Sequence, residues 1–118
     1  ADTRRVMLEE AGQTPTLFSQ RAVGTTTNTT IGAVVTNGRF DKAQLKKIAA
    51  LGSNGIVRAI RPVNTTADGD SLYAASVGSV SAELSLTGTI AAYVVEKAIR
   101  RAVCQAESLY GIEAYQDV

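Results

Sequence analysis

The sequence predicts a mixed α/β fold (α/β or α+β) with too few strands to close a sheet by itself. Three observations carry that expectation. Two runs rich in β-branched and small apolar residues, at 31–36 and about 71–78, read as strands. Each is followed by a long stretch in which apolar residues recur at helical spacing, so the order is strand–helix–strand–helix. Two strands alone do not make a stable sheet, so another polypeptide is expected to complete it.

Each element has a local reason. Residues 2–10 suit a short helix that Gly12 and Pro15 bring to an end. Residues 11–28 mix Gly, Pro, Thr, Ser, Gln and Asn with little periodicity and read as a linker or long surface loop. Loops of that length inside compact domains are uncommon and are often functional. The polar run Gly24–Asn28 then gives way to Ile31–Thr36, so the linker feeds straight into a buried strand, with Asn37-Gly38 expected as the turn that closes it. Asp41 is the expected N-cap of a helix over about 42–60, whose Leu45, Ile48, Ala49, Gly52, Ile56 and Ile60 share one face. Gly52 and Gly55 each cost that helix roughly 1 kcal/mol against alanine, which marks a close approach or a bend. Arg61-Pro62 ends it, and residues 62–70 form a polar loop before the second strand. The last helix is expected from about Glu83 to Leu109, with small residues along one broad face.

Composition narrows the function classes. A chain of 118 residues suits one domain with a real core. Its net charge of +1 supplies no attraction for nucleic acid or an acidic membrane surface. Lys97, Arg100 and Arg101 read as a solvated helix face. No run approaches the roughly 20 apolar residues of a membrane span, and no signal segment opens the sequence, so the expected location is cytoplasmic. Histidine is absent and Cys104 is the lone cysteine, which excludes Ser/His or Cys/His catalysis and a His/Cys zinc site within this chain. Cys104 itself reads as a buried small hydrophobe.

Two places could carry chemistry. Thr29 stands where linker meets strand, and a threonine there becomes a nucleophile if the Asn28–Thr29 bond is cut, because the freed α-amine can act as its base. Left uncut, the same residue is polar linker. The second place is Asp68-Gly69-Asp70, two carboxylates around a glycine that lets the backbone approach a neighbour. Turn and capping duty is one reading of these aspartates. The other makes them partners of a threonine amine and hydroxyl, one carboxylate holding the ammonium and the second orienting the first.

Taken together, Thr-Asn-Thr-Thr-Ile-Gly-Ala-Val-Val-Thr-Asn at 27–37, Gly-Ile-Val-Arg-Ala-Ile-Arg-Pro-Val at 55–63 and Asp-Gly-Asp at 68–70 resemble the DmpA-like peptidases of peptidase family S58. That family includes L-aminopeptidase/D-esterases, β-aminopeptidases and nylon-oligomer hydrolases. The resemblance runs in order from about Gly24 to Val118. It implies a precursor that cuts itself before a Ser or Thr, leaving a large α and a small β subunit packed as an αββα sandwich related to the ornithine acetyltransferase fold. The cut maps to Asn28–Thr29, the nucleophile to Thr29, and its supporting pair to Asp68 and Asp70. Residues 1–28 would then be the tail of the large subunit and 29–118 the small catalytic subunit. The resemblance also implies the large subunit of the same precursor as partner, assembly into a homo-oligomer of αβ units, and a small amide or peptide substrate. It calls for no cofactor and no metal. The family's oxyanion-hole and substrate-contacting residues lie mainly in the large subunit. Two other readings stand beside this one: a binding or assembly module whose Thr29 is never released, and an acyltransferase of the same fold.

Overall fold

The computed structural model describes residues 3–9, 11–12, 29–66 and 68–118. The linker at 13–28, with Asn28 in it, lies outside the described residues. Helix α1 spans Thr3–Glu9 and carries an exposed Arg5–Glu9 ion pair of 3.4 Å at i,i+4 spacing. Strand β1 (Ile31–Gly38), helix α2 (Lys42–Ala59), strand β2 (Ser71–Val80) and helix α3 (Leu84–Cys104) follow, and a short 3₁₀ turn at Tyr115–Asp117 comes last. The strand–helix–strand–helix order is the one expected from sequence.

β1 and β2 pair in parallel, from Ile31 opposite Ser71 to Thr36 opposite Ser76. A parallel pair needs a crossover element, and α2 supplies it. Alternation then sorts the side chains. Val34, Leu72 and Ala74 turn toward the helices, where Val34 and Ala74 pack against a core of Phe40, Ile48 and Ala91. Ile31, Val35, Tyr73 and Val77 fall on the opposite face and are 63–73% exposed. Both long helices lie on one side of the sheet, and the other side presents bare apolar surface.

The helix expected over 42–60 starts where the sequence places it. Asp41 accepts a hydrogen bond from the Gln44 N–H at 2.8 Å, and Gln44 Oε1 accepts one from the Asp41 N–H at 2.9 Å, a complete capping box. Its buried residues are Ile48, Gly52, Gly55 and Ile56. The glycines mark close packing. A Cβ on Gly55 would sit 2.2 Å from the Ala92 carbonyl oxygen of α3, so the two helix backbones touch where a side chain would stand.

Three expectations need correction. Asn37-Gly38 is not a turn but the end of β1, with an irregularity in register between Thr36 and Gly38. An Asn-Gly turn reverses a strand, whereas here the chain continues parallel and leaves for a helix. Thr36 Oγ1 accepts from the Gly38 N–H, Ser76 Oγ donates to the Gly38 carbonyl, and Arg39 N–H donates to Val80 O, so pairing carries past the bulge. The last helix stops at Cys104 rather than Leu109, capped by the Gln105 N–H on Arg101 O. Beyond it the tail makes its own bonds: Gln116 Nε2 to Ala106 O, Ala114 N–H to Ser108 Oγ, and the Ser108 hydroxyl to Asp117. Cys104, expected inside, is exposed because the packed part of α3 ends well before it, its buried residues being Gly88, Ala91, Ala92 and Val95. Lys97, Arg100 and Arg101 are solvated as expected; Lys97 lies over the Tyr93 ring and Arg100 pairs with Glu96. No helix among the described residues is long and apolar enough to cross a membrane.

Candidate active site

Thr29 stands two residues before β1, and it is exposed. The segment beside it is the loop that leads into β2, since parallel strands bring their N-terminal ends together. Ser71 N–H donates to Thr30 O at 2.9 Å, which opens the strand ladder one step before Ile31. The Asp68-Gly69-Asp70 loop is thereby set against Thr29 although the two are far apart in sequence.

Each member of that loop has a separate contact. Asp70 Oδ1 accepts a hydrogen bond from the Thr30 N–H at 2.7 Å, in a half-buried position. This is a charge-assisted bond to backbone, short and strong for its type. It fastens the residue that follows Thr29 to the loop. Gly69 faces Thr29 itself: a Cβ built on Gly69 would fall 2.9 Å from Thr29 Oγ1, 3.7 Å from Cγ2 and 3.9 Å from Cβ. Asp68 is held on the other side. Its Oδ2 accepts from both the N–H and the hydroxyl of Thr65, each at 2.7 Å, and its own N–H donates to Thr65 O at 3.1 Å.

The structure thus brings Thr29 together with the Asp68–Asp70 loop, two places that sequence reading singled out separately. Asp68 carries the local turn duty that the turn-and-cap reading assigned to it, whereas the bond of Asp70 is long-range, to an amide 40 residues earlier in the chain. Asn28, the other half of the expected cleavage bond, lies outside the described residues. Thr65 was not read as part of the site. Its signal was the Thr-x-x-Asp spacing of 65–68, which lets a side-chain carboxylate close a turn on the backbone three residues earlier.

Next to Thr30 an apolar cleft of about 440 Å³ opens between the start of β1, the end of α2 and the C-terminal half of α3. Ile60, Leu72, Val95 and Ile99 are among its walls, and among the described residues no titratable side chain lines it. What the arrangement can do is specific. It presents a hydroxyl at the head of a fixed strand, backed by a loop with two carboxylates, one of which grips the adjacent amide.

Comparison with known proteins identifies the family. The chain is 32% identical over 103 residues to an uncharacterized aminopeptidase of Mycobacterium leprae, covering 75% of this chain and 28% of that protein. It is 29% identical over 112 residues to an uncharacterized aminopeptidase of Mycobacterium tuberculosis, covering 82% of this chain and 33% of that one. It is also 32% identical over 88 residues to a protein of Agromyces sp. named as NylC-analogous, covering 67% and 29% respectively. The chain therefore spans about a third or less of the length of these relatives. No solved structure gives a significant match. The model of peptidase family S58 matches residues 3–116, nearly the whole sequence, and the chain belongs to that family.

Proposed function

We propose that residues 29–118 are the nucleophile-bearing small subunit of a self-processing N-terminal-nucleophile amidohydrolase, and that residues 1–28 are the tail of its large subunit. The observation that carries this reading is the position of Thr29. Its hydroxyl lies against Gly69, the residue that separates Asp68 from Asp70 in the sequence, and the amide of the next residue is held by Asp70 at 2.7 Å.

In the precursor, Thr29 Oγ1 attacks the carbonyl carbon of Asn28. The Asn28–Thr29 C–N bond breaks as the C–O bond forms, leaving an ester on the hydroxyl and a free α-amine on Thr29. Water then opens the ester, and Asn28 departs with a new carboxylate. In the mature site the α-amine takes the hydroxyl proton as Oγ1 attacks a substrate amide. The substrate's nitrogen leaves with a proton, an acyl ester remains on Thr29, and water releases the acid. Asp70, beside the chain end, holds the ammonium form of that amine and relays its proton. Asp68, kept in one orientation by Thr65, orients the pair.

The substrate class is a small amide or peptide. The exposed apolar face formed by Ile31, Val35, Tyr73 and Val77 packs against the large subunit in this reading, completing the sandwich that two strands cannot build alone.

The test is Thr29→Ala in the full-length polypeptide, read by intact mass and by hydrolysis of a chromogenic amino-acid amide. Both self-cleavage and turnover are expected to disappear, because one oxygen does both jobs. Thr29→Ser retains the hydroxyl and is expected to keep partial activity, and Thr30→Ala still cleaves. A Thr29→Ala protein that cleaves and turns over like the parent overturns the assignment and leaves the binding-module reading in its place.

A further inference from the structure

We infer that Gly69 is a positioning residue for the nucleophile: its missing side chain is the space in which the Thr29 hydroxyl is held. The inference rests on the assignment of Thr29 proposed above and adds a determinant to it. Gly69 sits in an exposed loop, and its φ lies outside the left-handed region, so its backbone would accept an L side chain without strain. Nor does helix or strand packing demand a glycine, since 68–70 belong to neither. What crowds a side chain there is Thr29. Among the described residues, and apart from Gly69's own chain neighbours, the three heavy atoms nearest the position its Cβ would occupy all belong to Thr29, with Oγ1 the nearest at 2.9 Å.

A carbon that close to an oxygen is inside ordinary contact distance, so a methyl group there forces a shift of a few tenths of an ångström or a change of χ1 in Thr29. Threonine is stiff about χ1, with Oγ1 and Cγ2 competing for two of three staggered positions. Gly69 therefore closes off one side of the hydroxyl with bare backbone at the one distance that leaves Oγ1 where it stands. Its flanking residues complete the device. Asp70 fixes the Thr30 amide and Asp68 is fixed by Thr65, so the wall is anchored at both ends and does not retreat when pushed.

The experiment is a double-mutant cycle of Gly69→Ala with Thr29→Ser in the full-length polypeptide, following self-cleavage by intact mass, kcat and KM on a chromogenic amide, and Tm. Gly69→Ala is expected to slow processing and kcat by about 10- to 100-fold, the scale of a small misplacement of a reacting atom, with KM within about twofold. Tm is expected to stay within about 2 °C of the parent, as for a surface substitution. In the Thr29→Ser background, where the hydroxyl already samples other rotamers, the added loss from Gly69→Ala is expected to be several-fold smaller. The inference fails if Gly69→Ala processes and turns over like the parent, if the two losses simply multiply, or if the loss tracks a large drop in Tm. Failure of the underlying assignment is read separately, from a Thr29→Ala protein that remains active.

Discussion

Asp70 is the residue on which anchoring and chemistry can be pulled apart. Its Oδ1 receives the Thr30 N–H at 2.7 Å across a separation of 40 residues, in a half-buried setting. Hydrogen bonds to charged groups contribute about 1.5–3 kcal/mol, and Asp70→Ala leaves the Thr30 amide without that acceptor. The expected loss of stability is therefore about 1.5–3 kcal/mol, visible as a lower urea midpoint with unchanged m-value. Asp70→Asn keeps a carbonyl oxygen in the same place, so its expected stability loss is under about 1 kcal/mol. The two substitutions part company in activity. If the carboxylate charge supports the Thr29 amine, Asp70→Asn slows processing and turnover by about 10²–10⁴-fold in spite of its intact fold. The assay is denaturant unfolding alongside single-substrate kinetics on the same full-length preparations. Parent-like turnover in Asp70→Asn refutes the catalytic half of the argument. Parent-like stability in Asp70→Ala refutes the anchoring half.

Two further outcomes follow from the scaffold. Gly55→Ala gains about 1 kcal/mol of helix propensity, but its Cβ would lie 2.2 Å from the Ala92 carbonyl, a backbone atom that cannot step aside. Overpacking of about 1–3 kcal/mol or more should win, whereas Gly52→Ala crowds the end of the Leu72 side chain at 2.8 Å, with Ala91 and Val34 at ordinary contact distance, and should be far milder; equal unfolding midpoints for the two would contradict this. Glu83 caps α3, and its carboxylate is held below its ordinary pKa of 4.5 by the N–H groups of Ser85 first and Leu86 second. A carboxylate depressed in the folded state stabilises above its unfolded pKa and loses that contribution as pH falls through the folded value. The Tm advantage of the parent over Glu83→Gln should therefore shrink on acidification below about 4.5; a difference independent of pH would rule the cap charge out.

Much of this protein was legible in one dimension because the deciding interactions are local. The capping box at Asp41 and Gln44 is a four-residue pattern, and Ile48, Gly52 and Ile56 share a helical face at spacings of four. The break between polar linker and apolar strand at Thr29, and the two aspartates around Gly69, are likewise visible in short windows, and with the motif at 55–63 they were enough to suggest the family. What local reading missed was decided by distant partners. Asn37-Gly38 carries a strong turn signal, but pairing with Ser76 and Val80 on a parallel neighbour draws both residues into β1. Apolar spacing runs on past Cys104, yet bonds between Ala106, Ser108 and the residues at 114–117 end α3 there. The site follows the same division. Residue type and spacing nominated Thr29, Asp68 and Asp70; parallel register alone laid Gly69 against the Thr29 hydroxyl and tied Asp70 to the next amide, because only pairing of two strands 40 residues apart brings their leading ends together.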